Sequence, residues 1–198
     1  MKKLMMFVCA ALALTACAGN KPAETAQPVK KDIGVQLYSV RSLIGAFGDN
    51  KADISPVLKI LADQGYTQVE AASYGDGKIY GMDPAAYKKA VEDAGLVSLS
   101  SHVNRYLTAE ELKSGKFDES MKWWDQCIAA HKAAGVKYIV MPSQPRDLDL
   151  KGLKTYCDYY NEVGRKCLEN GIHFGYHNHS QEFVKVEDQV IYDFMLQN

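Results

Sequence analysis

Four stretches of helical pattern in this chain end on a glycine that is followed at once by a short apolar run finishing on a polar side chain. The runs open at Gly65, Gly95, Gly135 and Gly171 and finish at Glu70, His102, Ser143 and His179. A glycine one residue past a helix takes a left-handed conformation that other residues reach only at a cost, so each phrase reads helix, stop, strand. The steps of 30, 40 and 36 residues between the glycines match one strand plus one crossover helix. The expected fold class is therefore α/β with a parallel sheet built from consecutive βα units. Chemistry in such sheets sits at the carboxyl ends of the strands, which is where Glu70, His102, His177 and His179 fall.

The first residues stand outside that repeat. Met1, Lys2 and Lys3 precede an apolar run over residues 4–16 that is too short to span a bilayer and has the form of a secretory signal. Leu14-Thr15-Ala16-Cys17 looks like a bacterial lipobox, in which Cys17 becomes the lipidated first residue; a plain cleaved signal and an uncleaved anchor are the other readings. Ala18 is not the Asp that usually retains such proteins at the inner membrane, so the expected address is the outer membrane, facing the periplasm or the exterior. Residues 17–31 read as the lipidated Cys and a flexible tether, and the folded part as 32–198.

Charge and cysteine usage narrow the partners. The formal net charge of −1 becomes −3 once Lys2 and Lys3 leave with the signal, and nothing is basic enough for nucleic acid. Of the five cysteines, Cys9 goes with the signal and Cys17 takes the lipid. Cys127, Cys157 and Cys167 remain, an odd count with wide spacing that is no disulfide framework. Cys127 and Cys167 read as buried small hydrophobes, with a Cys157 to Cys167 bridge as the other reading.

Alternation along the strands assigns side chains to faces. The first strand, residues 33–38, puts Ile33, Val35 and Leu37 on one side and Gln36 and Tyr38 on the other. The second, 67–72, turns Val69 toward the helices and Glu70 inward. The third, 96–102, aims Ser98, Ser100 and His102 one way and Val97 and Leu99 the other. The fourth covers 136–141 and the fifth 172–177. The loop over 74–81 reads as too Gly-rich for regular structure and long enough to form part of a pocket rim. It lacks the G-x-G-x-x-G spacing, which excludes a nicotinamide loop. Asp83 and Pro84 then start a helix as N-cap and first residue, Thr108 and Glu111 form a capping box, and a long amphipathic helix runs from Asp118 to Ala134.

The strongest chemical signal is His177-Asn178-His179, with Glu182 a short loop away. Two histidines spaced by two on a strand point the same way and can share one ligand or metal. A pair of rim or capping histidines is the alternative. Glu70 and His102 read equally as a structural ion pair or as groups that touch substrate. His131, in a helix, and His173, at the far end of a strand, read as structural. Trp123 and Trp124 read as straddling a core boundary rather than as a sugar platform.

Three segments together, Val35-Gln36-Leu37-Tyr38-Ser39-Val40-Arg41, Ser100-Ser101-His102 and Tyr176-His177-Asn178-His179, resemble the sugar phosphate isomerase/epimerase group of the xylose isomerase-like TIM barrels. The resemblance covers about residues 32 to 198. It implies an eight-stranded barrel with a divalent metal (Mn, Zn, Co or Mg) at its carboxyl face and proton transfer next to a sugar carbonyl. By position, Glu70, His102 and His177 are the implied catalytic residues, and His177 with Glu182 the implied metal ligands. Tyr38, His102, His179 and Glu182 are the implied sugar contacts. His177 stands where many relatives place a metal-binding Glu.

Counting phrases gives about five of eight strands, where a closed barrel takes about 250 residues. The rest of the family's metal site, an Asp, a His and a Glu, comes from strands six to eight. A truncated reading frame or a partial gene model is the expectation. The carbohydrate partner implied outside the cytoplasm is a non-phosphorylated sugar or glycoside. A metal-dependent isomerase, epimerase or lyase is therefore one expectation, and a non-catalytic carbohydrate-binding lipoprotein or an inactive fragment the alternatives.

Overall fold

Each of the four glycines closes a helix, with φ of 94°, 80°, 78° and 75° at Gly65, Gly95, Gly135 and Gly171. Their N–H groups donate to the carbonyls of Ala62, Glu92, Lys132 and Leu168. The next residue's N–H in each case reaches further back, to Leu61, Val91, His131 and Cys167. That pair of bonds is the Schellman motif, and it satisfies helix-end carbonyls while turning the chain toward the next strand. These contacts come from a computed structural model, which describes residues 31–45 and 53–198. The expected leader, lipobox Cys17 and tether up to residue 30 lie outside the described residues.

Five strands follow the phrases: β1 (Gly34–Gln36), β2 (Gln68–Ala71), β3 (Val97–His102), β4 (Tyr138–Met141) and β5 (His173–Tyr176). They form one sheet in chain order, and every neighbouring pair is parallel. Helices α1 (Ser55–Asp63), α2 (Pro84–Asp93), α3 (Ala109–Ser114), α4 (Asp118–Ala133) and α5 (Leu150–Glu169) lie between successive strands, and α6 (Ile191–Gln197) follows the last. Val69, Ala71, Ile139 and Met141 face the helices and are almost wholly buried. Their partners are Leu58, Tyr87 and Val91 in one cluster, and Trp124, Tyr159 and Val163 in another. Among the described residues no helix is long and apolar enough to cross a membrane.

The strands are shorter than the alternation suggests, and two differences matter for the site. β1 ends at Gln36, because the chain then tightens into a 3-10 turn over Leu37–Val40 that buries Leu37 and lifts Tyr38 to the surface. In β3 the register against β2 slips by one, Val69 pairing with Ser98 and Glu70 with Ser100. Leu99 is the extra residue of a β-bulge. The expected grouping of Ser98 with Ser100 and His102 is therefore corrected. Ser98 hydrogen-bonds the Tyr87 hydroxyl on the helix side at 3.1 Å, whereas Ser100 donates to Glu70 on the other face at 2.5 Å.

The loop over 74–81 is also more regular than expected. Tyr74–Gly75 pairs antiparallel with Lys78–Ile79, and Asp76 and Gly77, both at positive φ, make the tight turn. Asp83 and Pro84 do open α2, but Asp83 pairs with Lys78 at 3.7 Å rather than capping through its side chain. The capping box forms: Thr108 accepts from the Glu111 N–H and Glu111 from the Thr108 N–H. Glu111 also accepts from the backbone N–H and hydroxyl of Ser120, tying α3 to α4.

The cysteine and histidine expectations resolve by burial. Cys127, Cys157 and Cys167 are free and buried. Cys157 and Cys167 share one helix ten residues apart, about 15 Å of rise, too far for a disulfide. Trp124 is fully buried and Trp123 half-buried, the core boundary expected of them. His131 is fully buried, its Nδ1–H donating to the Cys127 carbonyl at 2.8 Å and its Nε2 accepting from Ser101 at 3.0 Å. Burial outweighs the Cys127 bond and pushes His131 down to about 4. Below its ordinary value of 6.5 the unfolded chain takes up a proton that the folded chain refuses until about 4. Stability therefore rises with pH across that window, by about 3 kcal/mol in all. Urea unfolding between pH 7 and pH 4 should show this slope, and His131→Gln should flatten it; an unchanged slope in the variant would refute the assignment.

Candidate functional site

Strand register places Gln36, Glu70 and Ser100 side by side on neighbouring strands, with His102 two residues further along β3. Glu70 Oε1 accepts from the Gln36 amide at 2.5 Å and lies 3.1 Å from His102 Nε2, and Oε2 accepts from the Ser100 hydroxyl. The Gln36 amide nitrogen also lies 3.1 to 3.2 Å from both His102 ring nitrogens. Partial burial opposes ionisation of Glu70, but the bonds from His102, Ser100 and Gln36 outweigh it and hold the carboxyl at about 2. The residue is thus an anion at any physiological pH, fixed by three donors and aimed at one imidazole.

Beyond His102 the rings of His177 and His179 continue a row, with centroids 5.0 Å and then 4.7 Å apart. His177 follows β5, its N–H donating to the Met141 carbonyl at 2.9 Å. Burial first, and then the neighbouring His102 and His179, lower its affinity for a proton against the opposing pull of Glu70 and Glu182. It is therefore neutral near pH 7. His102, His177, His179, Gln36 and Tyr38 line a cleft of about 920 Å³ at the carboxyl ends of the strands. Tyr38 reaches it from the 3-10 turn, its ring 4.2 Å from the Arg41 guanidinium.

Glu182 sits differently from the other candidates. It is fully buried and is not among the side chains lining the cleft. Its Oε1 accepts from Tyr176 and Gln181, and its Oε2 from the backbone N–H of His179 at 2.5 Å. Its carboxylate thereby braces the turn that presents His179. Among the described residues no group of three or more His, Cys, Asp or Glu side chains is placed to hold a metal ion. With the oxygens of both Glu70 and Glu182 taken by protein donors, His177 and Glu182 do not fit a divalent metal as a pair.

Sequence reading passed over three contributors. Gln36 was readable as an inward residue by alternation, but its bridging role depends on β2 and β3 lying beside β1. Ser100 reaches Glu70 only because of the Leu99 bulge. The loop after β4 brings Ser143, Gln144 and Arg146 into the cleft, with the Ser143 hydroxyl 2.7 Å from that of Tyr106. The repeated phrase marks Ser143 as a polar strand end, but no pattern in the loop's sequence foretells Gln144 or Arg146.

Consecutive parallel strands wrapped by helices, with polar side chains gathered over the strand ends, define a protein of the (β/α) barrel class. Similarity to solved structures is specific within it. A sugar phosphate isomerase/epimerase from Parabacteroides distasonis is 32% identical with a TM-score of 0.71, over 84% of this chain and 64% of that one. A second sugar phosphate isomerase/epimerase from the same organism is 28% identical with a TM-score of 0.72, over 90% of this chain and 65% of that one. A D-psicose 3-epimerase crystallised in the presence of D-fructose, 13% identical with a TM-score of 0.51 over 82% of this chain and 59% of that one, shares the fold. The chain is similar to these sugar phosphate isomerase/epimerases and has a sugar isomerase/epimerase-like fold. It spans just under two thirds of the length of the two Parabacteroides proteins. No protein-family model and no curated protein matches it.

Proposed function

We propose that the cleft takes part in a sugar isomerase or epimerase reaction in which His102, held by Glu70, moves a proton on the carbon next to a carbonyl. One observation carries this reading: a carboxylate fixed by three donors and facing an imidazole at the carboxyl ends of parallel strands. A neutral His102 accepts the proton, Glu70 stabilises the imidazolium that results, and the return of the proton completes the exchange. His177 and His179, with Tyr38 as a wall, hydrogen-bond and position the sugar hydroxyls. The lipobox at Cys17 supports a site outside the cytoplasm, which favours a non-phosphorylated sugar or glycoside. Elemental analysis of the purified protein tests for a divalent metal, the cofactor that the resemblance implies.

Proton transfer leaves a direct signature. Incubated in D2O with D-fructose, D-glucose or methyl β-D-glucopyranoside, the protein should place deuterium on the carbon next to the carbonyl of at least one open-chain sugar, read by NMR. No exchange above a heat-denatured control would overturn the reading in favour of a binding protein.

A further inference from the structure

We propose that Gln144, on the loop after β4, is a sugar-binding residue whose amide reads two adjacent hydroxyls of the substrate, its N–H donating to one and its carbonyl accepting from the other. The inference rests on the cleft being a carbohydrate site. Gln144 lines that cleft, yet it is only 5% exposed. Its Oε1 is buried and has no hydrogen-bond partner among the described residues. A buried amide oxygen left without a partner carries a desolvation cost, which a purely structural position would relieve with an apolar side chain. An amide is also the one neutral side chain with a donor and an acceptor fixed side by side, the pattern that two neighbouring hydroxyls complement.

The surroundings agree with that assignment. The Tyr106 and Ser143 hydroxyls pair with each other beside Gln144, and Arg146 lines the same cleft, exposed and with no ion pair among the described residues. Pro142 and Pro145 flank the segment and restrict its backbone, so the amide is presented by a stiffened loop. Gln144 is thus separate from the Glu70 and His102 pair, and its role is affinity and selection rather than proton transfer.

Gln144→Met, close to the same size but apolar, separates a ligand-reading amide from a structural one. Binding of D-fructose, D-glucose and methyl β-D-glucopyranoside to the full chain is followed by saturation-transfer NMR, and thermal unfolding by circular dichroism. The expected result is a loss of affinity of about tenfold for the bound sugar, equivalent to one hydroxyl interaction, with an unfolding midpoint equal to or above that of the parent. Affinity within twofold of the parent, a lowered midpoint, or no binding of any of the three sugars to the parent would each overturn the proposal. The proton-transfer reading fails separately. Binding weakened by Gln144→Met without deuterium exchange in the parent supports Gln144 and refutes catalysis by His102, and exchange with unaltered binding does the reverse.

Discussion

Glu70→Gln is expected to lower turnover in the proposed deuterium-exchange reaction by at least about a hundredfold, in the range general acid–base groups contribute, and to leave the apparent KM within about threefold, a small change in binding energy. Glu70 lies behind His102 and does not line the cleft, so it acts as a positioning residue: the amide keeps much of its shape but cannot stabilise a protonated His102. A merely structural role would show as lost folding or a raised KM instead. The pH dependence of stability supplies a second readout. The folded carboxyl is held at about 2 against an ordinary value of 4.5. Its stabilisation is complete above the ordinary value and is lost as pH falls through about 2, roughly 3 kcal/mol in all. Urea unfolding between pH 5 and pH 2 should therefore be steeper in the parent than in Glu70→Gln. Equal slopes would mean that Gln36, Ser100 and His102 do not hold the carboxylate as described.

Trp124→Ala is expected to destabilise the fold by about 3–5 kcal/mol, a large share of the 5–15 kcal/mol typical of a domain. The side chain is fully buried on α4, with its indole N–H donating to the Tyr159 hydroxyl at 2.6 Å. Tyr159 in turn donates to the Arg105 carbonyl at 2.9 Å, and the indole meets Phe174 edge to face at 5.8 Å. Truncation therefore opens a large cavity and strips the Tyr159 hydroxyl of its donor. Trp124→Phe should cost clearly less by filling most of the volume. Urea denaturation measures both, and a loss below about 1.5 kcal/mol in the Ala variant would show that the helices close over the gap.

Much of the scaffold was legible because its signals are local. A glycine in the left-handed region ends a helix by its own backbone energetics, so Gly65, Gly95, Gly135 and Gly171 announced four helix-to-strand junctions without reference to the rest of the molecule. Thr108 with Glu111 worked the same way, two side chains three residues apart satisfying each other's backbone. The resemblance carried by residues 35–41, 100–102 and 176–179 then pointed to the same kind of fold that the solved sugar phosphate isomerase/epimerases share with this chain. Glu70, His102, His177 and His179 were legible as strand-end groups from the repeated phrase itself, and the structure brings the three histidines into one row beside the carboxylate.

What remained hidden depends on neighbours distant in sequence. The Leu99 bulge exists only as a mismatch between β2 and β3, and it turns Ser98 to Tyr87 while turning Ser100 to Glu70. Glu182 was the implied metal ligand and sugar contact, but Tyr176, Gln181 and the His179 N–H close over its carboxylate. Gln144 gave no signal at all, because an unpaired amide can be recognised only once its surroundings are known. The sequence by itself thus determined the repeating βα architecture and which strand ends carry polar side chains, since each follows from backbone preferences or side-chain alternation within a few residues. Only the tertiary structure decided which polar groups satisfy one another and which still face the cleft, because hydrogen bonding between strands and loops tens of residues apart is set by how the whole sheet packs.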